Sequence, residues 1–220
     1  MQTKTNLLVF SLAAILSLSV VAMGDLPQAV ADKDHDDDHE KKLNFKKKPS
    51  FTATLSTVPS TPEGFEGTAT AKFWLDKDGD ALKYKITIEN MDISGGATSD
   101  VSDDVTKLHL HESHHGAHVL NVYKAPGEDD DNLVVKPTKG IIKGIWDDGD
   151  ENQTYGGHNN SETLTSQLKN LCEGDLFTMI HGVGGVGVLK GDIEPTSDGE
   201  KICKKLDKKG LLESPIEEEH

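Results

Sequence analysis

Between Leu108 and His118 the chain reads LHLHESHHGAH, and five of these residues are histidine. A neutral imidazole presents an sp² nitrogen that suits Cu(II) and Zn(II). Alternate residues of a strand share a face, so Leu108 and Leu110 point one way and His109 and His111 the other. If the leucines enter a core, the two rings sit together on the outer face, spaced so that both can reach one ion. His181, in LFTMIH, is a third candidate, because Leu176 and Ile180 facing inward turns it outward. His158, in YGGHNN, is a fourth, on a loop long enough to fold back over the sheet. His114 and His118 are nearer in sequence and could serve in its place, and Glu112 could add a ligand or orient a ring. Three or four imidazoles on a rigid sheet favour copper or zinc over calcium or magnesium. The competing reading is a solvated strand end, since His-x-His pairs are frequent on exposed strands. His114 and His115 read as loop surface.

The elements that must position these rings are strands. Phe51, Ala53 and Leu55 alternate with threonines, and Ala69, Ala71, Phe73 and Leu75 alternate with polar residues. After DKDGD (Asp76 to Asp80), Leu82, Tyr84, Ile86 and Ile88 continue the alternation. Strict period two on both sides of an Asp/Gly turn predicts a β-hairpin. DKDGD has its glycine one step early for an EF-hand and no downstream glutamate to complete it. Further strands are expected at 105–112, 118–124, 139–146, 175–181 and 186–194, joined by acidic, Gly-rich loops over 92–104, 125–137 and 147–160. One short helix is expected, capped by Ser161, with Leu164, Leu168 and Leu171 on one face and Gly174 ending it. Many short strands with Gly-rich links predict an all-β fold, an antiparallel Greek-key-type sandwich or partly closed barrel.

The N-terminus reads as a secretory signal. Lys4 precedes an apolar run of 17 residues from Leu7 to Met23, short of the ~20 that a spanning helix needs. Cleavage after Gly24 or Ala31 fits the small-residue rule. Pro27 and the polar segment from Asp32 favour Ala31, and retention as an anchor is the alternative. The expected organisation is a signal over 1–31, a charged linker over 32–50, one β domain over 51–195 and a charged tail over 196–220. The tail carries a possible short helix near Lys201–Leu206. His35 and His39, among the linker's aspartates, are weak chelators at most.

Net charge is −15 and arginine is absent. Such a surface repels nucleic acid and anionic lipid, and without guanidinium there is no bidentate phosphate recognition. The two cysteines, Cys172 and Cys203, read as a disulfide in an exported chain. The bridge staples the tail to the domain and leaves no thiolate to ligate a metal. Asn152 and Asn159 fit the N-glycosylation acceptor pattern. No nucleophile motif, P-loop or dinucleotide fingerprint is present. GVGGVG at Gly182–Gly187 lies between strands rather than opening a helix, and the acidic stretches EDDDN and DDGDEN read as solvated turns.

Three stretches together resemble the chordin-type (CHRD) domain family. FTATLS with GTATAKFWLDKDGDALKYKITIENM resembles its opening strands and hairpin. LHLHESHHGAHVLNV resembles its His-x-His strand, turn and following strand. LTSQLKNLCEGDLFTMIHGVGGVGVLKGDI resembles its short helix and closing strands. The resemblance spans Phe51 to Pro195 and implies an immunoglobulin-like or superoxide-dismutase-like sandwich in an exported protein. Departures are Phe177 for the family's tyrosine, Lys190 for its arginine, a missing Pro-Gly-Glu before Gly191, and longer loops after Lys124 and Trp146. They put any family-wide contact near Lys190 in doubt, but not the fold. The H-x-H-E strand and later histidine strand also resemble copper/zinc superoxide dismutases. That likeness implies His109, His111 and His181 as copper ligands and His158 as the loop histidine. The zinc-loop pattern and the anion-guiding arginine are missing. Three functions follow: an exported copper- or zinc-binding module, a superoxide-dismutase-like oxidoreductase, or a structural or adhesive cell-surface domain without metal.

Overall fold

In a computed structural model of the chain, residues 45, 47–124, 130 and 132–212 are described. The signal segment, most of the charged linker and residues 213–220 lie outside the described residues. Strand β1 (Phe51–Thr57) leads into a hairpin of β2 (Thr68–Leu75) and β3 (Ala81–Glu89). The DKDGD segment is its turn: the Asp76 carboxylate accepts backbone N–H bonds from Asp78, Gly79 and Asp80. The remaining strands are β4 (Lys107–Glu112), β5 (His118–Tyr123), β6 (Val134–Lys136), β7 (Ile141–Asp147), β8 (Leu176–His181), β9 (Gly187–Asp192) and β10 (Glu194–Pro195). Strand order is β5-β4-β8-β9-β1-β2-β3-β7-β6, with β10 also on β1 and every named strand pair antiparallel.

Strand β1 joins the two halves. Its residues Phe51–Leu55 pair with β2, while Ser56 and Thr57 pair with β9. The sheet therefore curls, and the two halves share one core. Phe51, Phe73, Tyr84, Ile86 and Trp146 from one half meet Leu108, Leu110, Leu120 and Ile180 from the other, all fully buried. This is the all-β, partly closed architecture that the alternation predicts. Burying each such side chain contributes about 1.5–3 kcal/mol. Strand β6 falls inside a stretch read as loop. It has only three residues, all half-buried, and so shows no alternation.

Helix α1 (Leu164–Glu173) buries Leu164, Leu168 and Leu171 and ends on Gly174 in the left-handed conformation, as expected. Its cap is Thr163 rather than Ser161, whose hydroxyl instead accepts from the Asn121 backbone N–H. A second helix lies in the tail and is longer than the short one expected near Lys201–Leu206. Helix α2 (Ser197–Lys208) fills most of the described tail and is capped by Thr196. Its polar composition hides a single apolar stripe, in which Cys203 and Leu206 are buried and Ile202 packs against the core. Thr196 also ties the helix to the start of β1, donating from Oγ1 to the Pro49 carbonyl at 2.8 Å. The Cys172–Cys203 disulfide links α1 to α2. No helix among the described residues is long and apolar enough to cross a membrane.

Candidate metal centre

The β4–β8 register sets the site. Lys107 pairs with His181, His109 with Met179 and His111 with Phe177. Directly opposed residues share a face, so His181 lies on the same side of the sheet as His109 and His111. Leu108 and Ile180 oppose each other on the core side. Each of the three histidines offers a ring nitrogen within 4.8 Å of the others'. The separation is that of ligands around one small cation.

The fourth ring is His118. It pairs with His111 across β4 and β5, next to an irregularity in the β4 register. Its centroid lies 3.9 Å from that of His109 and 4.7 Å from that of His111. His158 is not in this group. It occupies an exposed single turn, Gly157–Asn159, held to β5 by Asn121 Nδ2 donating to the Asn159 carbonyl. The loop does fold back over the sheet, but that tether leaves His158 in a cleft beside His118. His114 and His115 are exposed turn residues facing Asp175 and Glu112.

Three of the four rings are oriented from behind by an oxygen acceptor. His111 Nδ1 faces the Gly116 carbonyl at 2.9 Å, His181 Nδ1 the Gly185 carbonyl at 2.8 Å, and His118 Nδ1 the Asn121 side-chain oxygen at 2.7 Å. An acceptor at Nδ1 places the proton there and leaves the Nε2 lone pair for another partner. Gly185 belongs to the GVGGVG connection, where Gly184 and Gly185 take positive φ, so the glycine-rich loop aims a ring rather than cradling a phosphate.

His109 and His111 are shielded from solvent, and His118 and His181 are half-buried. His109 is 3 % exposed and His111 7 %. Both nitrogens of His109, and Nε2 of His111 and His181, are buried without a hydrogen-bond partner. Each such orphan costs on the order of 1–3 kcal/mol, which a bound cation would offset. Burial, followed by the neighbouring imidazoles, pushes the His109 pKa down to about 2, and burial pushes that of His111 down to about 4. Burial lowers His118 and His181 as well. The rings are thus neutral at pH 7, the form that ligates metal. The donor set fits Cu(II) or Zn(II).

Phe177 stacks on His111 with centroids 4.9 Å apart, and the Lys190 ammonium lies 4.0 Å over the Phe177 ring. Lys190 therefore sits at the wall of the cluster, and its charge acts on His111. The Asp92–Asp104 loop is organised by one side chain: the Asp92 carboxylate accepts from the Ser94 hydroxyl and the backbone N–H groups of residues 94–98, which hold its pKa well below the ordinary 3.8.

The curled antiparallel sheet with a histidine-bearing face defines an all-β, disulfide-bonded domain. The CHRD domain family matches residues 51–186. That is more than half of the 220 residues, and the chain belongs to this family. The match includes His109, His111, His118 and His181 and ends before β9 and α2. No curated protein matches the chain.

Proposed function

We propose that this CHRD-domain protein is exported and holds one copper or zinc ion through His109, His111 and His181, with His118 as fourth ligand. The carrying observation is the convergence of buried, unpartnered imidazole nitrogens within 4.8 Å of one another. A polar strand end would leave its rings in water. Export is supported by the signal-type N-terminus and by the disulfide, which persists in oxidising compartments. The role is metal storage, delivery or presentation to an extracellular partner.

The test is metal analysis of untagged mature protein after loading with Cu(II), combined with EPR. About one equivalent, with hyperfine coupling to several imidazole nitrogens, is expected. Less than about a tenth of an equivalent removes the reading. A second reading, a superoxide-dismutase-like oxidoreductase, draws on Lys107, which shares the face with His181 and supplies local positive charge for an anionic substrate. Its test is superoxide consumption by the copper-loaded protein, lost in the His109→Ala/His111→Ala double variant.

A further inference from the structure

A cleft of about 560 Å³ adjoins the imidazole cluster. Its walls include Glu112, Glu151 and Glu162 together with His115, His118 and His158, and no lysine among the described residues lines it. The carboxylates bond to uncharged or imidazole donors rather than ammonium groups: Glu112 faces His115 Nδ1 at 2.9 Å, Glu151 accepts from Gln153 Nε2 at 3.2 Å, and Glu162 accepts from Gln167 Nε2. Their negative charge is therefore left to act on the cleft. Carboxylates alone would say little. The second observation is His109, 3 % exposed with both ring nitrogens unpartnered, whose ring contacts that of His118. His118 thus belongs to the cleft wall and to the buried cluster at once. The opposite end of the cluster, at His181, faces Lys107. The Lys107 charge reaches His118 and His109 as well as His181, so attraction for a cation comes from the carboxylates of the cleft and not from the strand face.

Resting on the metal-binding reading above, we infer that this cleft is the loading port of the site. Its carboxylates concentrate a hydrated copper or zinc dication, and His118 passes the ion inward to His109, His111 and His181. The cleft's own cargo is a cation rather than an anionic substrate, and His158 is an outer relay position rather than a resident ligand. Charge-lined clefts raise the local concentration and on-rate of an oppositely charged species in a salt-dependent way.

The experiment is stopped-flow loading of the metal-free protein with Cu(II) alone, read by tryptophan quenching at low and high salt. Glu112→Gln/Glu151→Gln/Glu162→Gln is compared with wild type and with a control, Glu173→Gln/Glu194→Gln/Glu200→Gln, that removes equal charge away from the cleft. The cleft variant is expected to load about tenfold more slowly at low salt, to lose most of its salt dependence, and to keep the wild-type stoichiometry and EPR spectrum. Glu151→Gln alone, an exposed position, should show part of the effect if the triple variant does not fold. Loading at the wild-type rate, or equal slowing in the control, overturns the port while leaving the metal site standing. A wild type that takes up no copper overturns the metal reading itself, and the port with it.

Discussion

The ring of His118 lies 3.9 Å, centroid to centroid, from that of His109, and its Nδ1 is committed to the Asn121 side-chain oxygen. That commitment leaves Nε2 as the nitrogen free to ligate. In His118→Ala the copper EPR spectrum should lose the coupling of one nitrogen, and affinity should fall by at least about tenfold, the lower end of what even an outer-shell partner contributes. An unchanged spectrum in competitive titrations would make His118 a neighbour of the site and not a ligand.

His109 is expected to work against folding when no metal is bound. Both of its nitrogens are buried without partners, so His109→Leu removes desolvated polar atoms and leaves an apolar side chain. The metal-free variant should be more stable than wild type by about 1–3 kcal/mol, measured as a higher urea midpoint with an unchanged m-value. It should also bind no copper. A lower midpoint would mean that those nitrogens are satisfied in solution.

Much of this site is legible in the sequence because period two is a strong rule. Leu108 and Leu110 in the core force His109 and His111 onto one face, and Ile180 does the same for His181. What the alternation does not carry is burial: rings placed on an outer face are covered by one another and by Phe177. The choice between His118 and His158 was also hidden. It depends on irregularities in the β4–β5 register on either side of His109–Leu110 and on the Asn121–Asn159 tether, neither of which has a local sequence signal. Helix α2 reads in the sequence only as a possible short helix because a single stripe, Ile202, Cys203 and Leu206, is diluted by lysines and acids. Thr196 followed by Asp198 and Glu200 is the capping signal that could have set its start.

Lowering the pH should destabilise the metal-free protein well before its carboxylates titrate. The His109 and His111 pKa values fall from the ordinary 6.5 to about 2 and about 4 on folding. Between those values and 6.5 the unfolded chain binds more protons than the folded one, so stability rises with pH and is lost as pH drops below 6.5. Asp92, held below its ordinary 3.8, acts in the same direction but only near and below that pH. A fall in the urea midpoint between pH 7 and pH 5 therefore belongs to the imidazoles, and it should be smaller in His109→Leu/His111→Leu, where only His118 and His181, also lowered by burial, still contribute. Copper-loaded protein should show a steeper dependence, since protons and metal compete for the same nitrogens.

The Cys172–Cys203 bridge should matter to the fold and not to the metal. It spans 31 residues of sequence, and closing such a loop is worth about 3–4 kcal/mol in the chain-entropy model. It joins α1 to α2, whereas the imidazoles sit on β4, β5 and β8. Cys172→Ser/Cys203→Ser, or reduction of the wild type, should lower Tm by about 10 °C for a domain of this size. Helix α2 should lose hydrogen-exchange protection first, because only its Cys203, Leu206 and Gly199 are buried. Copper stoichiometry at low temperature should stay at the wild-type value, since β8 is paired on both sides by β4 and β9 and does not need α2 to hold His181. Loss of copper binding on reduction, with the sheet still folded by circular dichroism, would show instead that the staple strains or supports the histidine face through α1 and the strand that follows it.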